Sequence, residues 1–501
     1  MPELIFKGKE FVYNHHLAVP FRPLVPHAKK SVGKPQLDGN LIIHGDNLHA
    51  LKALLPMYAG KVDCIFIDPP YNTGNEGWSY NDNVNSPMLR EWLNSNPVGI
   101  EDGLRHDKWC ALMYPRFRLL HELLSETGSL WLTLDDNEMH RARAMLDEIF
   151  GEQNFVSEVI WQKMDSPSRN AADRPFSSYH DYLIVYAKDI EVLSLFQETR
   201  ESILEAYPLL LQDGRRARRR QLRKNGSNAR REDRPTMWYV LEAPDGTETW
   251  PIAPEGWEGR WVLRKEEWLR RQSDGMTEWV QRDGKWTPYY IEVAPTVPMA
   301  PWSTLWTDVD QNRQAKADLT QIFGRDVDFQ TPKPVSLIER VLQISTSTNS
   351  IILDSFAGSG TTAHAALRTN KKDGGNRKFI LVECEDYADK LTAERVRRVI
   401  NGYEFDGTQR EELFRERLTF TNIKKADKLL DQIVSIENLE GHRFDAIKKV
   451  VKDGELIVTG EKAVKNRTEG LGGSFAFCTL GEPLELDKLL TGETLPSFEA
   501  L

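Results

Sequence analysis

Hydrophobic positions along this chain follow two periods in turn. Residues 41–43, Leu-Ile-Ile, form a short apolar run, and Asp46 and Asn47 behind it are good helix caps. Leu48, Leu51, Leu54 and Leu55 then share one helical face. A second apolar run, 62–67, is stopped by Asp68-Pro69-Pro70. Phe117, Leu120, Leu123 and Leu124 predict another amphipathic helix, ended near Gly128, and 130–134 and 182–186 predict strands. The rhythm returns late: Val335, Ile338, Val341 and Leu342 have helical spacing, and 351–353 and 379–382 read as buried strands. Short apolar strands separated by helices predict an α/β fold, with a doubly wound, mostly parallel sheet covered on both faces.

Between about 195 and 325 the pattern changes. Nine of the fourteen tryptophans lie in 238–306, and arginine accumulates just before them. Asp245-Gly246 and Asp283-Gly284 are hairpin turn signals. The chain therefore reads as an N-terminal surface arm (1–37), a first α/β half (38–194), an inserted domain (195–325), a second α/β half (326–422) and a C-terminal interaction region of a helix and short strands (423–501). No internal repeat is visible.

Composition narrows the class. With 501 residues, 40% of them hydrophobic and 28% charged, the chain has ample material for a globular core. No apolar run approaches the roughly 18 residues of a membrane span. The start, MPELIFKGKEFVYNHH, lacks an apolar targeting segment, so the expectation is cytoplasmic, with no membrane partner. The four cysteines are far apart, which argues against a disulfide scaffold or a zinc site, and no metal is expected. A net charge of −10 argues at first against a polyanionic partner. Its distribution reverses that: residues 213–234 carry nine Arg and one Lys against three acids, and setting aside this +7 leaves −17 elsewhere. A solvated loop could have such a composition, but Arg215, Arg216, Arg218, Arg219, Arg220, Arg223, Lys224, Arg230 and Arg231 are the candidates for phosphate contact, with arginine also able to read guanine edges. The tryptophans that follow fit sheet packing better than base stacking.

Two segments carry candidate chemistry. Residues 351–367, IILDSFAGSGTTAHAAL, run from a buried strand through Asp354, Phe356, Gly358 and Gly360 into an Ala-rich helix. Glycines at such a turn let a ligand approach the backbone, and the helix start offers free N–H donors. A second strand ends in Glu383, 25 residues after Gly358, placed to suit a ribose diol. There is no Lys-Ser/Thr of a phosphate-binding P-loop, so ATP is a poor guess; an ordinary tight turn and a dinucleotide site both remain open on this segment alone. Residues 62–74, VDCIFIDPPYNTG, deliver an acid, two prolines and an aromatic ring to the carboxyl edge of the sheet. Asp68 and the main-chain carbonyl beside the prolines are acceptors for an exocyclic amine, and Tyr71 is a ring on which a planar base can stack.

DPPY early and FAGSG late, in that order, resemble the permuted β class of S-adenosylmethionine-dependent amino-methyltransferases of DNA. KVDCIFIDPPYNTGNEGWSYND, RHDKWCALMYPRFRLLHELLSETGSLWLTLDDNE and GGSFAFCTLG are similar to the modification subunits of type III restriction–modification systems and their solitary relatives. The resemblance covers roughly 40–190 and 325–420 and implies a Rossmann-like methyltransferase fold with an inserted target-recognition domain. It implies Asp68, Pro69, Pro70 and Tyr71 as the catalytic motif. For S-adenosylmethionine it implies Asp354, Phe356, Gly358, Gly360 and Glu383, with Asp46 near the adenine and Lys333, in TPKP, near the methionine moiety; an ordinary helix cap and a solvated lysine are the plainer readings of those last two. The implied acceptor is adenine N6, flipped out of duplex DNA, with cytosine N4 as the alternative. The implied partners are double-stranded DNA, a second copy of the chain, and a separate restriction subunit with helicase and nuclease activity, unless the enzyme is solitary.

Overall fold

The computed structural model describes residues 3–73, 103–166, 176–324, 327, 329–418, 426–452 and 454–484. The part of the DPPY-containing stretch beyond Thr73 and the end of the C-terminal region lie outside the described residues. The chain divides into two units, Met1–Phe196 with Ser303–Leu501, and Gln197–Trp302.

The first unit is built on a ten-stranded sheet. Its strands lie in the order Leu24–Pro26, Ala476–Leu480, Leu41–His44, Lys378–Glu383, Ile351–Asp354, Val62–Ile67, Leu124–Leu134, His180–Ala187, Phe155–Gln162 and Leu305–Trp306. The central run from Ala476–Leu480 to Leu124–Leu134 is parallel throughout. Leu41, Ile42 and Ile43 are all fully buried, as are Cys64, Ile65 and Ile67. Successive strand residues point to opposite faces, so burial at consecutive positions means that both faces are covered.

The two motif-bearing strands are direct neighbours, with Ile352 opposite Cys64 and Leu353 opposite Ile65. The Asp63 carboxylate accepts the Ile351 N–H at 2.8 Å and ties the two strands together. From here the chain winds in opposite directions. Val62–Ile67 leads through the helix Arg105–Leu123 to the strand on one side, and Ile351–Asp354 leads through the helix Thr361–Asp373 to the strand on the other. A doubly wound sheet opens a crevice at such a reversal, at the carboxyl ends of its strands. Asp68 and the glycine loop both lie there.

Three details depart from the sequence pattern. Gly128 lies inside the strand Leu124–Leu134 rather than at a helix end; a Cβ there would meet the backbone oxygens of Asp63 and Val62 at 2.8 and 2.9 Å. The first residues are not a surface arm alone, since Phe6, Val12, Val19 and Leu24 are buried in the core. The C-terminal segment also returns to the main sheet. Ala476–Leu480 fills the place beside Leu41–His44, with Phe475, Ala476, Phe477 and Cys478 buried. Before it, Gly402–Arg417 pairs with Glu455–Glu469, which also pairs with Ala446–Lys452; Leu429, Ile433 and Ile436 of the helix Ala426–Glu440 share a core with Leu456 and Val458.

In the second unit, Thr277–Arg282, Lys285–Val293, Arg216–Gln221 and Leu209–Leu210 form an antiparallel sheet in that order. The hairpin turns at Asp283 and Gly284, both at positive φ (51° and 72°), as a two-residue type I′ turn demands. Leu222, Leu241, Trp261, Trp268 and Tyr290 form the core of this unit. The unit ends at Trp302, well before 325. The helix Asn312–Phe323 belongs to the first unit: it buries Ala315, Leu319 and Ile322, and Arg398 donates to the Ile322 carbonyl at 2.7 Å.

Candidate active site

Asp68 follows directly on the strand Val62–Ile67, and the prolines after it stop the ladder. One of its carboxylate oxygens accepts from the Thr133 hydroxyl. The other lies 2.6 Å from Lys333 Nζ, although the two residues are 265 positions apart. The same ammonium stands over the Tyr71 ring, 4.9 Å from its centroid. The Tyr71 hydroxyl donates to Asp181 at 3.4 Å, and Asp181 also accepts from Lys163 at 2.6 Å. Burial raises the Asp181 carboxyl, opposed by the charges of Lys163 and Lys333. Burial also lifts the Tyr71 phenol well above its usual value.

The backbone around the motif is held from below. The Pro70 carbonyl accepts the Trp109 indole N–H at 2.7 Å. Asn72 takes the left-handed conformation, φ 58°, is fully buried, and donates to Glu138 and to the Arg105 carbonyl. Glu138, with no exposed side chain, also meets His106 and Arg141. The turn after DPPY is thus fixed by buried polar contacts, which leave it little freedom.

The glycine loop lies across the crevice. Phe356 N–H and the Thr362 hydroxyl both donate to Asp354, so this acid closes the turn from beneath. Burial pushes its carboxyl up to about 7 despite those bonds, and the nearby Asp68 and Glu383 charges add to the rise. Glu383 accepts from Gly358 N at 2.7 Å and from Glu385 N at 3.0 Å, and burial raises its carboxyl too. Gly358 and Gly360 stand at φ 51° and 78°, and a Cβ on Gly360 would lie 3.0 Å from the Thr392 carbonyl. Thr392 donates to the Gly358 carbonyl at 2.6 Å, and the buried Arg395 reaches Ser359 and Thr361 at 2.8 and 2.7 Å. Asp68, Lys333, Asp354, Phe356 and Gly358 line one pocket, together with Phe329.

Asp46 caps the helix Asn47–Tyr58 through Leu48 N at 2.9 Å and His49 N at 3.3 Å. Burial alone would raise its carboxyl; Arg116 at 3.2 Å and His49 outweigh that and hold it below the usual carboxylate range. Asn47 donates to the Ser355 carbonyl at 2.9 Å, which links this helix start to the glycine loop. Lys333 does not show a hydrogen bond to that loop; its ion pair is with Asp68.

The basic segment forms the strand Arg216–Gln221 and the loop after it. Several of its arginines are already paired. Arg218 and Arg220 meet Glu292, Arg219 meets Glu278, Arg215 meets Asp213 and Arg231 meets Glu258. Arg230 stands over Trp257, 5.3 Å from its ring centroid, and Arg216 is exposed. Arg223 and Lys224 are half-buried. Pairs at or near the surface are screened by water and weak, so these arginines exchange readily to other anions.

Thr133, Lys163, Asp181, Trp109 and Glu138 escaped the sequence reading. The signal was there for two of them: Thr133 interrupts the apolar run LWLTL, and Asp181 stands beside the apolar run 182–186. A polar residue in such a run has to find a buried partner.

The family model described as DNA methylase matches residues 62–394, and this chain belongs to that family. The match spans both motifs and the insert between them. Among curated relatives, the type III restriction-modification enzyme StyLTI Mod subunit of Salmonella typhimurium is 29% identical over 79% of this chain and 62% of its own length. The type III restriction-modification enzyme EcoPI Mod subunit of Escherichia phage P1 is 32% identical over 70% of this chain and 58% of its own. The type II methyltransferase M.KpnI of Klebsiella pneumoniae is 33% identical over 68% of this chain and 79% of its own. The chain thus spans about three-fifths of the length of the two Mod subunits. No helix among the described residues is long and apolar enough to cross a membrane.

Proposed function

We propose that this chain transfers a methyl group from S-adenosylmethionine to the N6 amino group of adenine in duplex DNA at a specific sequence, as the modification component of a restriction–modification system. The observation that carries the reading is the meeting of two distant motifs at one crevice, with Asp68 and the glycine loop lining the same pocket. Membership of the DNA methylase family and the likeness to Mod subunits support it.

The residues present fit the cofactor. Gly358 and Phe356 line the pocket, Gly360 gives the loop its left-handed turn, and Glu383 ends a strand beside them. Burial, more than the added charges of Asp68 and Glu383, raises the Asp354 carboxyl, and a cationic sulfonium compound nearby would favour its ionised form. Asp46 stands at the adjoining helix start as the candidate adenine contact. The cofactor, when bound, supplies an electrophilic methyl group.

The chain's own residues then do four things. Tyr71 stacks the flipped base. Asp68 and the Pro69 carbonyl accept the two amino hydrogens, which draws the nitrogen lone pair out of ring conjugation. Both acceptors also face the positive charge that develops on nitrogen, so they stabilise the transition state more than the ground state. Thr133, Pro70 and Trp109 hold the acceptors in place, and alignment of the reacting atoms supplies much of the rate. The inserted unit, with its arginine strand, contacts phosphates and selects the sequence.

The test is to express the protein in a methylation-free host and sequence the DNA with long reads, then weigh the nucleosides after digestion. N6-methyladenine at one short motif is expected. N4-methylcytosine, or no modified base, overturns the assignment. A helicase–nuclease gene beside this one separates a restriction system from a solitary enzyme.

A further inference from the structure

Lys333 is held in an unusual place. The prolines on both sides of it, Pro332 and Pro334, are buried, so its backbone is anchored while its side chain reaches across the crevice. Its ammonium lies 2.6 Å from Asp68 Oδ2, with only 10% of the lysine side chain exposed, and 4.9 Å from the Tyr71 ring centroid. The remaining Asp68 oxygen is engaged by Thr133. These are the two contacts that a target amine needs: a carboxylate acceptor at hydrogen-bond distance and a position over the ring. A base stacked on Tyr71 lies roughly 3.5–4 Å from the ring. That is nearer than the ammonium stands, so base and ammonium compete for the same space.

We infer that the Lys333 ammonium is a resident surrogate for the amino group of the target base, occupying the Asp68–Tyr71 site until a flipped base displaces it. The inference rests on the amine-methylation reading above. Its physical content is a competition. An ammonium held by a carboxylate in a partly dry site is a charged rival to a neutral amine, and it raises the threshold for a base to settle in the pocket. A base that arrives without the rest of its recognition contacts does not displace it. The lysine therefore acts as a specificity-determining residue, and it acts before chemistry.

The experiment uses the full chain without cofactor. The probes are a duplex carrying the mapped target sequence, with 2-aminopurine next to the intact target adenine, and a scrambled duplex of equal length. Lys333→Met and Lys333→Gln remove the charge; Lys333→Arg keeps it. Removing one positive charge weakens binding to any DNA, so the readout is the ratio of cognate to scrambled affinity, together with the 2-aminopurine fluorescence that reports unstacking. The expected result is a ratio about three- to tenfold higher in the neutral variants, the scale of a lost part-buried ion pair, with brighter 2-aminopurine beside the flipped adenine. Lys333→Arg is expected to stay close to wild type. Unchanged or reduced ratio and fluorescence in the neutral variants, or an equal gain in Lys333→Arg, overturns the inference. If one neutral variant fails to fold by circular dichroism, the other decides. Wild-type methylation of the cognate duplex is measured in parallel. Its absence defeats the amine-methylation reading, whereas normal methylation with no change in the variants defeats only the role of Lys333.

Discussion

The crevice and the arginine strand both concentrate charge, and they handle it in opposite ways. In the crevice, Asp354 and Glu383 are buried, and each carboxylate accepts hydrogen bonds with fixed geometry. On the strand Arg216–Gln221, Arg219 and Arg220 are exposed, and they meet Glu278 and Glu292, themselves partly exposed, through surface pairs. Buried charge cannot be replaced by water, so each group in the crevice acts through one arrangement. Exposed pairs are screened and interchangeable, so the strand can give up its acids for phosphates. The contrast predicts all-or-none effects in the crevice and graded, salt-dependent effects on the strand.

The largest effect is expected from Asp68→Ala. Methyl transfer in a single turnover falls about 10³-fold or more, while affinity for S-adenosylmethionine by calorimetry stays within about twofold. Near-normal turnover would remove Asp68 from the reaction and break the crevice side of the comparison. Next is Gly360→Ala. It forces a Cβ into the left-handed region, 3.0 Å from the Thr392 carbonyl. Cofactor affinity is expected to drop roughly tenfold or more. An unchanged dissociation constant would show that the loop yields.

Smaller and graded is the response of the strand. Neutralising Arg218, Arg219 and Arg220 together to Gln is expected to lower DNA affinity about tenfold near 0.1 M salt and to flatten the salt slope by about 2. A slope that does not move would mean that these arginines serve their glutamates and not DNA. The smallest effect concerns stability. Folding raises Asp354 from its ordinary 3.8 to about 7, so the folded state binds the proton more tightly than the unfolded state. Its contribution to stability is full below 3.8 and is lost as pH rises through about 7. In calorimetric scans the wild type should lose more of its unfolding temperature across this window than Asp354→Asn, by on the order of 5 °C. Parallel curves would contradict the shift.

Much was legible before the structure. The strand 62–67, the turn at Asp68 and the glycine loop are local features, written by apolar runs, prolines and glycines at adjacent positions. The Asp283-Gly284 turn was legible for the same reason. The N-terminal residues were misjudged because their apolar triplets, 4–6 and 11–13, are too short to show a period, and their burial depends on what packs over them. The boundary at 325 was misplaced because composition does not follow packing: the helix Asn312–Phe323 is polar overall, yet it buries one face in the first unit.

The sequence by itself determined the parts of the chemistry: an acid, two prolines and a ring after one buried strand, a glycine turn after another, and a basic segment set apart from an acidic remainder. Local conformational preference and chain order are enough for that. Only the tertiary structure decided which parts meet. It set Ile351–Asp354 directly beside Val62–Ile67, returned Ala476–Leu480 to the sheet, and brought Lys333 onto Asp68 across 265 residues of chain. Those outcomes depend on contacts between residues far apart in the chain, whose pairing is settled by which apolar faces bury each other and which buried charges find a partner.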